Sequence, residues 1–134
     1  MNFQIQSTQD KKIILSALWV YLSLNYIYCD HLGFFEPYMI KDLLNGFVGN
    51  IPVSTSFLFG AAILMQIPFL MTLMCIVLPQ KAVRFANIAA SIIMIIVQLV
   101  TMNMGGAIST VYIFYSILEI IVNLIIIYLS IAGM

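Results

Sequence analysis

The sequence predicts an all-α integral membrane protein: a four-helix up-and-down transmembrane bundle with a short interfacial helix between spans one and two. Three observations carry that prediction. The 134-residue chain is 63% hydrophobic and 7% charged, with a mean hydropathy of +1.11, whereas a soluble domain carries about 25% charged residues. Its apolar residues gather into four runs near the roughly 20 residues needed to cross a hydrocarbon core. Four of its five Lys and Arg residues, Lys11, Lys12, Lys81 and Arg84, then fall on one side of the resulting topology.

The four spans are expected over about 13–32, 55–78, 84–104 and 108–131, which together make one membrane domain over 1–134. Basic residues mark the cytoplasmic side of a membrane protein. Lys11 and Lys12 precede span one, and Lys81 and Arg84 adjoin the turn between spans two and three. Both termini are therefore expected in the cytoplasm. Span one is expected to stay uncleaved: Trp19, Asn25 and Tyr26 interrupt its apolar run, and no small-x-small cleavage site follows before Asp30.

The first connection, 33–54, is long for a helix hairpin. Pro37 suits a helix start and Gly46 a helix stop. Ile40, Leu43, Leu44 and Phe47 recur between them at helical spacing, opposite Lys41, Asp42 and Asn45. The pattern predicts a short helix lying flat at the outer surface. Ser54, Thr55 and Ser56 offer a cap for span two. The second turn, 79–83, is short, and Gly105 and Gly106 make the third tight, so successive spans are antiparallel neighbours.

Helix backbones satisfy their own hydrogen bonds in a bilayer, so side-chain polarity within the spans carries the remaining information. Asn87, Ser91, Met94, Gln98 and Thr101 form one stripe of span three at alternating steps of four and three. Tyr112, Ser116, Glu119 and Asn123 do the same in span four, and Ser16, Trp19, Ser23, Tyr26 and Asp30 in span one. Three polar-lined faces are explained if they meet inside a bundle. Glu119 stands out because it is the only ionisable acid or base in the interior of any span. A carboxylate at bilayer depth costs about 2.5–3.5 kcal/mol on insertion scales. With no Lys or Arg in any span interior to balance it, the expectation is a neutral acid.

The candidate polar intramembrane site is therefore Glu119, Gln66, Gln98, Asn25, Asn123 and Tyr112, with Gln66 and either Gln98 or Asn25 within reach of Glu119. An amide can donate to a carboxylate or accept from a protonated carboxyl. The alternative reading of such side chains is packing glue between helices, worth about 0.6 kcal/mol each. A second candidate, Asp30, His31 and Glu36, lies at the outer mouth, with spacing poor for any defined metal geometry. No metal or other cofactor is expected. Pro68 is expected to disturb span two beside the polar layer. Aromatic residues crowd the outer half, including Tyr26, Tyr28, Phe34, Phe35, Phe114 and Tyr115, which suits an interfacial belt or a lipid-like ligand entering from outside. Cys29 and Cys75 lie near opposite ends of neighbouring helices and are expected to be free thiols.

The sequence also excludes. Net charge is zero, so no basic face invites nucleic acid. There is no glycine-rich phosphate loop, nucleophile elbow, HExxH or CxxC. With one histidine and one arginine, an acid–base–nucleophile set is hard to assemble.

The stretches LSALWVYLSLNYIYCDHLGFF, GAAILMQIPFLM, RFANIAASIIMIIVQ and YIFYSILEI resemble an uncharacterised bacterial family of small four-span membrane proteins, catalogued as a domain of unknown function and loosely DoxX-like. The matching residues are Asn25, Tyr26, Tyr28, Asp30, Gln66, Pro68, Arg84, Asn87 and Glu119. The resemblance implies the fold and a bacterial membrane location, and it brings no activity with it.

Three functional readings follow. The first is a non-catalytic lipid- or partner-binding module with a polar mid-membrane site around Glu119, its partners being the lipid bilayer and a lipid or small apolar ligand. The second is a small proton-linked transporter acting as a homodimer around Glu119. The third is a membrane enzyme on a lipid or quinone, with Glu119 as general acid, disfavoured because a second catalytic group is missing.

Overall fold

A computed structural model describes residues 8–104 and 108–132. The described chain forms α1 (Thr8–Gly33), α2 (Pro37–Leu44), β1 (Phe47–Val48), β2 (Ile51–Pro52), α3 (Thr55–Val77), α4 (Gln80–Met102) and α5 (Thr110–Ala132). Four of the helices, α1, α3, α4 and α5, are long and apolar enough to cross a membrane. At 1.5 Å per residue, a 23-residue helix is about 34 Å long.

The long helices form a closed ring, with α1 packed between α3 and α5, and α4 completing the circuit between the same two. Consecutive spans are thus neighbours, as short connections require. Antiparallel packing of α1 and α3 is shown by two bonds: Lys12 Nζ donates to the Leu78 carbonyl (2.5 Å) and Ser16 Oγ to that of Thr72 (2.7 Å). The core runs along the bundle axis through Leu15, Trp19, Leu22, Met71, Val83, Met94 and Ile126. Outside it the bundle presents Ile, Leu, Val and Phe side chains on every long helix, the inverse of a soluble bundle and the face a bilayer requires.

Helix ends follow local chemistry. Glu36 caps α2 with Pro37 in its first turn, where the missing N–H costs nothing. Gly46 follows α2 with φ +81°, a left-handed backbone that glycine adopts without a Cβ clash. Ser54 caps α3 by accepting the Phe57 N–H at 3.1 Å, and Ser109 accepts from the Tyr112 N–H at 3.0 Å at the start of α5.

Two details differ from the sequence expectation. The second turn shrinks to Leu78 and Pro79, because α4 begins at Gln80 and takes Lys81 and Arg84 into its first turns; a helix can extend past the apolar core when its charged side chains reach back toward water. Between α2 and α3 the chain makes a two-strand ribbon, Phe47 opposite Pro52 and Val48 opposite Ile51, which strands this short do not announce by alternation. α3 continues as helix through Pro68, which is itself fully buried. Gly105 and Gly106 lie outside the described residues. Cys29 and Cys75 are free and buried.

Candidate functional site

The inward stripes of α1, α4 and α5 meet as layers along the bundle axis. Toward the end of the bundle that carries Lys12 and Leu78, Trp19 of α1 donates its indole N–H to Asn87 Oδ1 of α4 at 2.6 Å. Cys75 Sγ of α3 lies 3.3 Å from the same oxygen. One amide acceptor thus ties three helices, and Trp19, Cys75 and Asn87 are all shielded completely.

The next layer holds Glu119, which is 1% exposed. It projects from α5 on the same face as Asn123, one turn away, whose Nδ2 donates to the Glu119 carbonyl (2.8 Å) and to the Tyr26 hydroxyl of α1 (3.1 Å). α5 itself carries no Lys, Arg or His. Glu119 Oε1, Asn123 Oδ1 and Ser91 Oγ are buried with no hydrogen-bond partner. Asn87 Nδ2 and Ser130 Oγ are in the same state; unsatisfied buried atoms are uncommon in native proteins, and all five of these come from α4 and α5.

The layer at the opposite end joins α4 to α5. Gln98 Nε2 donates to Ser116 Oγ at 2.6 Å, and Ser116 in turn donates to the Tyr112 carbonyl at 2.7 Å. Tyr112 donates its hydroxyl to Thr101 Oγ1 at 2.8 Å nearer the helix ends.

Of the residues expected around Glu119, Asn123 stands beside it on α5, and Gln98 and Tyr112 belong to the adjoining layer. Asn25 is buried, but its Nδ2 donates to the Tyr21 carbonyl (2.8 Å). Gln66 is not brought to Glu119. It is exposed on the outer side of α3, and α3 packs on α1 and α4 rather than on α5. The expectation placed it by depth alone, and depth says nothing about which way a helix faces. In the outer-mouth cluster, Asp30 and His31 are exposed and Glu36 is half-buried. His31 packs edge-on against Phe35. Among the described residues, no three His, Cys, Asp or Glu side chains gather closely enough to hold a metal ion.

Sequence reasoning did not single out the groove between α1 and α5. It has a volume of about 370 Å³ and is lined by Tyr21, Leu24, Asn25, Tyr28, Phe114, Tyr115 and Leu118. Tyr28 and Phe114 are 55% and 59% exposed, so the groove opens sideways to the surroundings of the bundle. Its signal in the sequence is the concentration of aromatics on these two helices, which reads equally as an interfacial belt.

No curated protein matches this chain, and no solved structure does. One family model does, over residues 3–133, nearly the whole sequence and all four long helices. The chain belongs to the family of unknown function DUF6326.

Proposed function

We propose that this chain is a non-catalytic lipid-binding module of a bacterial inner membrane, with both termini cytoplasmic. The observation that carries the reading is the α1–α5 groove. Ligand sites are concave and mostly apolar, with a few placed polar groups. Here apolar and aromatic walls surround the Asn25 amide and the Tyr21, Tyr28 and Tyr115 rings. The ligand class is an amphipathic molecule with an apolar chain and a hydrogen-bonding head, entering sideways from the bilayer. The polar layers behind the groove hold α1 and α5 in register, which gives the groove a constant shape.

Native mass spectrometry from mild detergent tests this reading. The wild-type protein is expected to retain a lipid-sized mass, and Leu24→Trp, which fills the groove from a half-exposed position, to lose it. An empty wild-type protein, or equal retention by Leu24→Trp, defeats the proposal.

Proton-linked transport is the second reading. It is favoured by one observation, the buried and unpartnered Glu119 Oε1. Because Glu119 is enclosed, transport would need the helices to part before a proton could exchange with water. Reconstitution under an imposed proton gradient decides it: cation flux that vanishes in Glu119→Gln supports transport, and absence of such flux rules it out.

A further inference from the structure

We propose that the outward face of α3 is the surface through which two copies of this chain pair in the membrane, with Gln66 hydrogen-bonded to Gln66 of the partner subunit across a two-fold axis. The argument starts from where the chain puts its amides. Asn25, Asn87, Gln98 and Asn123 lie within the long helices and are all buried. Gln66 is exposed, although it is the central residue of the 23-residue α3 and therefore sits at the depth where water is scarcest. It makes no side-chain hydrogen bond with any other described residue. Its counterparts on the outward faces of the other helices are apolar: Ile92, Ile93 and Ile96 on α4, and Ile117, Ile121 and Leu124 on α5. An amide left in hydrocarbon loses its hydrogen bonds to water and gains none, so this position asks for a polar neighbour from another molecule.

Helix α3 is also the least enclosed of the four. Only 17% of its apolar window is buried, against 44% for α1 and 28% for α4 and α5. Its fully shielded residues are Pro68, Met71 and Cys75, all past its midpoint. From Thr55 to Ile67 no residue is buried, so half of this helix is short of neighbours within the chain.

The occupant follows from the chemistry of the amide. A side-chain amide is donor and acceptor at once. Two of them related by a two-fold axis complete each other with a reciprocal pair of bonds, which is the self-complementarity an isologous interface requires. The flanking residues on the same face, Phe59, Ala62, Ile63, Leu70 and Leu73, are uncharged and exposed. A second α3 can therefore lie along them without burying a charge. Ala62, one turn from Gln66, leaves room for close approach. This inference stands apart from the lipid-binding reading, because α3 contributes nothing to the α1–α5 groove.

Cysteine cross-linking of the full chain in native membranes tests it. Ala62→Cys, which keeps Gln66 in place, is expected to give a species of twice the monomer mass on mild oxidation, because the two-fold axis brings the positions within the roughly 7 Å between Cα atoms that a disulfide allows. Ile92→Cys, equally lipid-facing on α4, is expected to give none, and wild type none, since Cys29 and Cys75 are buried. Separately, Gln66→Leu and Ala62→Trp are each expected to lower the dimer fraction several-fold, read by energy transfer between labelled copies diluted in lipid. Both positions are exposed, so the monomer fold tolerates the changes. Failure of Ala62→Cys to cross-link, cross-linking to a species of another mass, equal cross-linking at Ile92, or an unchanged dimer fraction in Gln66→Leu would each overturn the proposal.

Discussion

Trp19 and Asn87 sit at diagonally opposite positions of the helix ring, yet the indole N–H of one reaches Oδ1 of the other at 2.6 Å. This bond crosses the bundle axis and joins α1 to α4, which are not ring neighbours. Both residues are 0% exposed, so neither group has water to fall back on.

Replacing Asn87 with Leu is therefore expected to destabilise the bundle by about 1–3 kcal/mol, the range for leaving a buried donor unpaired. Interhelical hydrogen bonds in membranes usually carry less, about 0.6 kcal/mol; Asn87 serves Trp19 and Cys75 together. Thermal unfolding in detergent measures the loss. Trp19 is the only tryptophan, so its emission should shift in the same variant without unfolding. An unshifted spectrum would mean the indole is not held by Asn87.

At Glu119 the physical question is the charge. A neutral carboxyl can be exchanged for an amide of nearly equal volume that likewise offers both a donor and an acceptor. Glu119→Gln should fold and unfold much like wild type, and the wild-type protein at neutral pH should show the carbonyl absorption of an un-ionised carboxylic acid in infrared difference against Glu119→Gln. Glu119→Lys should accumulate poorly, since an intramembrane lysine costs about 2.5–3.5 kcal/mol on insertion scales. A carboxylate band at neutral pH would refute the neutral state.

The two polar bonds between α4 and α5 differ in shielding, and that sets their order. Gln98 to Ser116 is buried, whereas Tyr112 to Thr101 is exposed. Gln98→Leu is expected to lower stability by about 0.6–1.7 kcal/mol, the range measured for interhelical bonds, and Tyr112→Phe by less than about half a kcal/mol. Equal losses in the two variants would show that the shielding of the first bond does not matter.

Orientation is testable without the function. Lys81 and Arg84 at the start of α4 and Lys12 in the first turns of α1 stand at one end of the bundle, tied by the Lys12 bond to Leu78. Basic residues stay on the cytoplasmic side. A reporter active only in the cytoplasm should work when fused after residue 134 and fail when placed at Asn50. The opposite pattern would invert the topology.

The inward faces were legible residue by residue. Asn87, Ser91, Met94 and Gln98 of the span-three stripe and Ser116, Glu119 and Asn123 of the span-four stripe are buried in α4 and α5, whereas Thr101 and Tyr112, at the stripe ends, are exposed and half-buried. Periodicity works there because a helix that buries one face must repeat its polar contacts at the helical pitch. It failed for Gln66, the one amide of α3, whose other polar residues Thr55, Ser56 and Thr72 stand six or more positions away, so that no neighbouring residue defines a stripe and depth was the only guide. It was also silent on the Asn87 acceptor shared by Trp19 and Cys75, which depends on how three helices are rotated about their own axes.

By itself the sequence determined the class of solvent, the four long helices, the inward stripes and the cap at Ser54, because each depends on hydrophobicity or chemistry local to a few turns. The tertiary structure alone decided which polar residues meet. Only the ring order of α1, α3, α4 and α5 opens the Asn25 groove between α1 and α5, brings the Asn123 amide to the Tyr26 hydroxyl, and turns Gln66 outward. Those pairings join residues as many as 97 positions apart, and they follow from helix rotation and packing, which no local pattern encodes.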